Sequence, residues 1–340
     1  MIPPGAAYLA RVRRQLAVGA PLALSRAAVA GGSPQALGLA VALADTGTAV
    51  ALIEEDRWDV ARAQDALTRA GKGTGITVHS DPAAAEGAEA VIEASGRDAG
   101  LRAALLGDMA RVAPGALLAS LGPGALRASL PAPVALIDQP GEGVIEILTG
   151  SDPRAEGLAR RLGALPVRVE RFLGAVLVAA LEDVAEALVF EGSTPWDVDA
   201  AAEATGFTLG PCAAQDLRGL DRAYARHRVK GHALPVVDRM VVEGRLGRKG
   251  GVGWYRYPGG GGRVIDPLVE DLAREEAHFA GVTPRAISDS EIAARLSGAL
   301  LRAAEGLAAE PGVIDLLSVL ACGFPADKGG VLFAAQALDV

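Results

Sequence analysis

Between Arg26 and about Glu170 the chain alternates short β-rich runs with longer stretches whose apolar residues recur at helical spacing. The runs Ala27–Ala30, Ala49–Glu54, Ile76–His79, Ala90–Glu93, Ala116–Ser120 and Val134–Ile137 predict strands. Pro34–Asp45, Trp58–Ala70 and Asp98–Val112 predict the helices that separate them. Strands spaced by helices build right-handed βαβ units in a parallel sheet, and Val144–Leu148 and Val167–Glu170 are expected to complete it. After Phe172 the strand pattern nearly vanishes. Phe172–Phe190 has the length and spacing of one long helix, and Gly259–Gly262 marks a flexible break.

The last part of the chain echoes the part before it. Glu186–Gly192, Val198-Asp199 and Gly206-Phe207 find counterparts in Glu305–Glu310, Ile314-Asp315 and Gly323-Phe324-Pro325. Each copy predicts a long helix, a short turn, a second helix and a Gly-Phe stop. Two related half-domains would then pack on each other within one chain. The expected division is an N-terminal arm over 1–24, a doubly wound Rossmann-type α/β domain over 25–170, and two all-α helical domains over 171–262 and 263–340.

Composition narrows the function classes. Half of the 340 residues are hydrophobic but only 4% are aromatic, so Ala, Leu and Val must fill the cores. That suits helices covering a buried sheet. A net charge of -8 argues against nucleic acid, whose phosphates demand clustered positive charge. The near-absence of Lys beside abundant Arg is read as codon bias of a GC-rich bacterial genome. Cys212 and Cys322 are too few and too distant for a disulfide framework or a zinc site; buried thiols in a reducing cytoplasm are expected, and no metal. Arg11–Arg14 followed by Leu16–Leu24 has a faint secretory pattern, but the apolar run is short and contains Pro21. No uninterrupted apolar run approaches the roughly 20 residues that would span a bilayer.

The first strand leads into Gly31-Gly32-Ser33-Pro34-Gln35-Ala36 and then a helix, the place of a GxGxxG dinucleotide turn. In such a turn the first glycine makes the bend, the second lets backbone approach the pyrophosphate, and the third allows close packing. Here Gly31 keeps the first position, Ser33 takes the second, and Ala36 the third. Ser33 adds a side chain where phosphates should lie nearest, and Pro34 removes a backbone N–H from the anion-binding end. Glu54 ends the second strand, where a carboxylate would accept hydrogen bonds from an adenosine ribose and repel a 2′-phosphate. The loop therefore points to NAD, in a weakened site made of Gly31, Gly32, Ser33, Gln35 and Glu54.

Gly206-Phe207-Thr208-Leu209-Gly210-Pro211, Asp216-Leu217-Arg218-Gly219-Leu220-Asp221 and the run Gly244–Tyr257 resemble the signature of 3-hydroxyacyl-CoA dehydrogenases. Val91–Ala94 and Leu117–Ser120 match as well, and the closing Gly323–Gly330 is similar to the dehydrogenase part of multifunctional β-oxidation enzymes. The resemblance implies NAD-dependent oxidation of an L-3-hydroxyacyl-CoA to the 3-ketoacyl-CoA. A histidine takes the hydroxyl proton, a glutamate orients it, and a serine and an asparagine assist.

Carried over residue by residue, the chemistry is missing. The histidine position holds Leu136, the serine position Pro123 and the asparagine position Ala175. The partner glutamate survives as Glu146, orphaned of its histidine, after a loop about two residues short. Arg97 stands where the family has an acid after the fourth strand, Arg102 stands in for a lysine near the cofactor, and the resemblance thus adds Ala94 and Arg102 to the NAD site. The helical arm that lies against the acyl-CoA is absent, although Arg57, Arg62, Arg69 and Lys72 could meet its phosphates. The four histidines, His79, His227, His232 and His278, are expected to be structural or on the surface. Asp138 is the one substitute base on offer.

Three functions follow as expectations. The first is a catalytically impaired relative holding a nucleotide or an acyl-CoA, or acting as a scaffold. The second is an active dehydrogenase with a relocated base, Asp138 with Glu146. The third is a subunit completed by a β-oxidation partner such as a hydratase or thiolase. A monomer or dimer is compatible with each.

Overall fold

The computed structural model describes residues 3–54, 56–122, 134–230 and 235–338. By contacts they form two compact units, Arg13–Phe172 and Met1–Val12 with Leu173–Val340. The 1–24 arm is thus divided, and the two expected helical halves lie in one unit. The arm begins as a helix, α1 (Pro4–Leu16), whose Leu9 and Val12 are buried.

The sheet unit strings together β1 (Arg26–Ala30), α2 (Pro34–Ala44), β2 (Ala49–Ile53), α3 (Arg57–Arg69), β3 (Ile76–His79), β4 (Ala90–Glu93), α4 (Ala99–Val112) and β5 (Leu117–Leu121). It closes with β6 (Val134–Gly141), β7 (Val144–Leu148), α5 (Arg154–Arg161) and β8 (Leu165–Val169). The strand order is β3-β2-β1-β4-β5-β6-β7-β8, an eight-stranded doubly wound sheet that is parallel except between β6 and β7. The expected α/β Rossmann-type class is the observed one. Its inner strands, such as β4 and β5, are buried on both faces, which is why they read as near-continuous apolar runs. Leu39, Leu43, Leu67 and Leu158 from α2, α3 and α5 cover one face, and Leu105, Leu106 and Met109 from α4 cover the other.

The sixth strand was expected to end at Ile137. Instead β6 runs on to Gly141 and folds back antiparallel onto β7 through a tight turn at Glu142-Gly143. A register shift between Asp138 and Gly141 takes up Pro140, which cannot donate to a ladder.

The helical unit contains α6 (Gly174–Phe190), α7 (Pro195–Ala204), α8 (Pro211–Arg218), α9 (Leu220–Lys230) and α10 (Pro235–Val242). A small hairpin of β9 (Tyr255–Arg256) and β10 (Val264–Ile265) follows, then α11 (Pro267–Phe279), α12 (Asp289–Glu305), α13 (Pro311–Cys322) and α14 (Val331–Leu338). The Gly259–Gly262 run is the turn of this hairpin, so the boundary expected at 262 falls inside a paired element. The repeat is visible in the element lengths: α6 and α12 each span 17 residues and each is followed by a helix ending in a Gly-Phe stop. The two stops meet, with the Phe207 and Phe324 rings edge to face at 5.6 Å.

Candidate functional site

The carboxyl ends of β1, β4, β5 and β6 lie side by side, and the register puts Ala30, Glu93, Ser120 and Leu136 in one row. Crevices at such strand ends are where open α/β sheets hold ligands. Glu93 and Ser120 are fully buried there, and α4 sends Arg102 in between them. Arg102 Nε donates to Glu93 Oε2 at 2.7 Å, and its Nη2 donates to Ser120 Oγ at 2.6 Å and to the Leu121 carbonyl at 2.7 Å. Ser120 Oγ donates in turn to Glu93 Oε2 at 2.8 Å. Expected as a cofactor ligand, Arg102 is directed inward by this cluster, whose charge it neutralises. Nothing in the sequence alone singled out Glu93 and Ser120 as its partners; the apolar neighbours of both masked them.

The first loop is built as its glycines require. Gly31 has φ +120°, and a Cβ there would lie 2.6 Å from the Ser95 Cα, so only glycine fits. Gly32 leaves the Glu54 carboxylate close above it: a Cβ on Gly32 would meet Glu54 Oε2 at 3.1 Å. Ser33 caps α2 by accepting the Ala36 N–H at 3.1 Å. Its hydroxyl donates to the Ala94 carbonyl at 3.1 Å, tying this loop to the end of β4. Gln35 lies in the first turn of α2, partly exposed. Glu54 is buried, and Arg97 Nη2 donates to its Oε1 at 2.6 Å.

At the other end of the row, Leu136 is buried and brings an aliphatic side chain beside Ser120. Two residues on, Asp138 stands directly opposite Glu146 in the β6–β7 ladder. Leu136, Asp138 and Glu146 therefore share the face of the sheet that α4 covers. Both carboxylates are buried, Asp138 at 4% exposure and Glu146 at 0%. Pro123 lies outside the described residues. Ala175 sits in the first turn of α6 in the helical unit, with only a methyl group to offer.

Within the sheet unit no described histidine stands in this row. His79 is the sole histidine of the sheet unit, and β3 is five strand positions from β6, about 24 Å at the usual spacing. His227, expected in a loop-like stretch, is a buried residue of α9, with Nδ1 2.7 Å from Asp238 Oδ1. His278 is in α11 against Phe279, and His232 lies outside the described residues. The cations expected to meet an acyl-CoA are partly engaged: Lys72 pairs with Asp45 at 2.9 Å and Arg62 pairs with Asp59. Cys212 and Cys322 are free and buried, and burial pushes the Cys322 thiol up to about 12. Among the described residues no group of His, Cys, Asp and Glu could hold a metal, and no helix is long and apolar enough to cross a membrane.

The helical unit carries the more specific pattern. Asp216 accepts the Trp254 and Tyr255 N–H groups at 2.9 Å each and the Tyr257 hydroxyl at 2.9 Å. This explains the joint appearance of Asp216 and the run to Tyr257. Residues 169–257 match the model of the 3-hydroxyacyl-CoA dehydrogenase C-terminal domain. This stretch is therefore a 3-hydroxyacyl-CoA dehydrogenase C-terminal domain. The chain is similar to the peroxisomal bifunctional enzyme of Danio rerio, 32% identical over 212 residues, which cover 54% of this chain and 29% of that protein. The chain thus matches under a third of the length of that relative. In fold it is similar to 3-hydroxybutyryl-CoA dehydrogenase from Escherichia coli, with a TM-score of 0.67, 20% identity, and 93% of this chain and 92% of that one covered. It is also similar to the dehydrogenase part of multifunctional enzyme 1 from C. elegans, with a TM-score of 0.63, 16% identity, and 97% and 90% covered.

Proposed function

We propose that this chain is a 3-hydroxyacyl-CoA dehydrogenase-like protein that has lost most or all of the oxidation of L-3-hydroxyacyl-CoA to 3-ketoacyl-CoA. In this reading it serves as a nucleotide- or acyl-CoA-binding module, or as a scaffold beside a β-oxidation partner in a bacterial cytoplasm. The observation that carries the reading is Leu136, buried in the strand row next to Ser120 where the resemblance puts the base. An alcohol carbon releases hydride only as its O–H proton is taken up, and removing one positioned base lowers the rate by about 10²–10⁴-fold. Pro123 and Ala175 at the two assisting positions deepen the loss.

The crevice fits NAD only in part. Gly31 and Gly32 leave backbone close to where a pyrophosphate would lie, at the amino end of α2. The Ser33 hydroxyl, however, is tied to Ala94, and Glu54, the expected ribose acceptor, already holds Arg97. In this arrangement the adenosine end is held weakly, because Arg97 occupies its acceptor, and no catalytic step is assigned to NAD.

A second reading rests on the cross-strand pair of Asp138 and Glu146. Two buried carboxylates on one face supply a possible base, and the chain would then be an active dehydrogenase of altered substrate. Calorimetric titration with NADH and with acetoacetyl-CoA, alongside NAD reduction with L-3-hydroxybutyryl-CoA, separates the two. The first reading expects heat with at least one ligand and no turnover. Robust turnover, abolished by Asp138→Asn, would establish the second; silence with both ligands leaves only a scaffold.

A further inference from the structure

We infer that Arg97 is an internal competitor for the adenosine ribose of a dinucleotide, holding the Glu54 carboxylate that the ribose hydroxyls would otherwise engage. The inference rests on the reading above that the sheet unit holds a nucleotide, and it names the residue that makes this holding weak.

The strand order supplies the argument. β2 and β4 flank β1, so their carboxyl ends lie on either side of Gly31-Gly32. Glu54 follows β2 and Arg97 follows β4, yet Arg97 Nη2 reaches Glu54 Oε1 at 2.6 Å. To do so the arginine must cross above the end of β1, two strand spacings or about 10 Å wide. That is the place where an adenosine lies in a doubly wound sheet. The carboxylate is low in the crevice, against Gly32, so a bridging guanidinium occupies the room above the glycine turn.

The loop bearing Arg97 is fastened. Glu93 Oε1 accepts the Ser95 N–H at 2.7 Å and the Ser95 hydroxyl at 2.6 Å. Gly96, at φ +70°, then turns the chain back, and Asp98 caps α4 immediately after Arg97 by accepting the Gly100 and Leu101 N–H groups. Arg97 is therefore presented from a rigid turn. Its side chain is 28% exposed and that of Glu54 is 5% exposed, so the pair is shielded from solvent on the acid's side. In the Arg97–Glu54 bond both partners are charged, whereas a ribose diol brings only neutral donors to the same carboxylate.

The consequence concerns cofactor choice. With Arg97 removed, Glu54 is released to accept ribose hydroxyls and to repel a 2′-phosphate. The test is fluorescence titration of the full chain with NADH and with NADPH, using wild type, Arg97→Ala, Arg97→Lys and Arg97→Ala/Glu54→Ala, each checked for a cooperative melting transition well above the titration temperature. Arg97→Ala is expected to bind NADH about tenfold tighter than wild type, the equivalent of about 1.4 kcal/mol. NADPH should not gain, Arg97→Lys should stay near wild type, and the double variant should lose the gain. Equal NADH affinity in wild type and Arg97→Ala overturns the inference and leaves nucleotide binding standing. An equal gain for NADPH, or a gain that survives in the double variant, also overturns it. Failure of every variant to bind either dinucleotide overturns both the inference and the nucleotide-binding reading.

Discussion

Asp315 occupies in the second half of the helical unit the place that Asp199 occupies in the first. Asp199 accepts the Cys212 and Ala213 N–H groups at the start of α8 and the Tyr255 hydroxyl at 2.8 Å. Asp315 accepts the Leu332 and Phe333 N–H groups at the start of α14 and the Tyr8 hydroxyl at 3.0 Å. A Cβ on Gly210 or on Gly330 would strike the respective aspartate, so each glycine is fixed by the close approach. The tyrosines come from different directions, Tyr255 from the β9 hairpin and Tyr8 from the amino-terminal helix. In the second half, α1 thus does what a hairpin does in the first.

Tyr8→Ala is therefore expected to destabilise the chain by about 2–3 kcal/mol, combining a lost hydrogen bond with lost aromatic packing. The ring stacks on Phe333 at 4.4 Å. Tyr8→Phe should cost only about 1 kcal/mol. Urea unfolding of both variants measures the two parts, and an unchanged midpoint for Tyr8→Ala would remove α1 from the account.

The repeat behind this pairing was legible in Val198-Asp199 and Ile314-Asp315, because matching helices leave matching apolar spacing. Tyr8 was not, since nothing in a short amino-terminal segment announces a contact 307 residues away. Ile76–His79, Ala90–Glu93 and Val144–Leu148 were readable to the residue as strands. The β6–β7 hairpin was obscured by Pro140, whose turn chemistry is absorbed by a register shift. The site divides the same way. Gly31 and Glu54 stand where their spacing indicates, but the partners of Glu54 and Arg102 depend on strand order, which local pattern does not carry.

Arg102→Met should destabilise the sheet unit by about 3–5 kcal/mol, because it strands the fully buried Glu93 charge. Glu93→Gln together with Arg102→Met should recover part of the loss, since no net charge is then buried. Chemical denaturation of the single and double variants checks this. A double variant less stable than Arg102→Met alone would show that the cluster acts through packing and not through charge.

Gly31→Ala should cost about 1–3 kcal/mol from its positive φ, with a further penalty from overlap with Ser95. The damage should spread to nucleotide binding if the loop is used, so the variant needs both a melting curve and an NADH titration. Gly38→Ala makes the control: it lies in α2 with open space around its Cβ position, and it should be neutral or stabilising by up to about 1 kcal/mol.

Glu186 sets a pH dependence of stability that runs opposite to the usual carboxylate. Burial pushes its pKa from 4.5 up to about 8, opposed by the Val237 N–H and reinforced by Asp238 and Asp183. The unfolded chain ionises this residue near 4.5 while the fold keeps it protonated. Its contribution to stability is thus full below about pH 4.5 and is lost as pH rises through about 8. Asp199 and Asp216, each raised to about 6 chiefly by burial, act in the same sense over a lower window. His227 in α9 and Asp238 in α10 share this polar cluster, so the wild-type slope alone does not isolate Glu186. Glu186→Gln does, because it keeps an acceptor for the Val237 N–H and removes the titration. Wild type should lose about 3 kcal/mol between pH 5 and pH 8 from this residue, and the variant should be flatter by that amount. Calorimetric melting from pH 5 to pH 9 is the measurement, and parallel profiles for the two proteins would mean that Glu186 is ionised in the fold throughout.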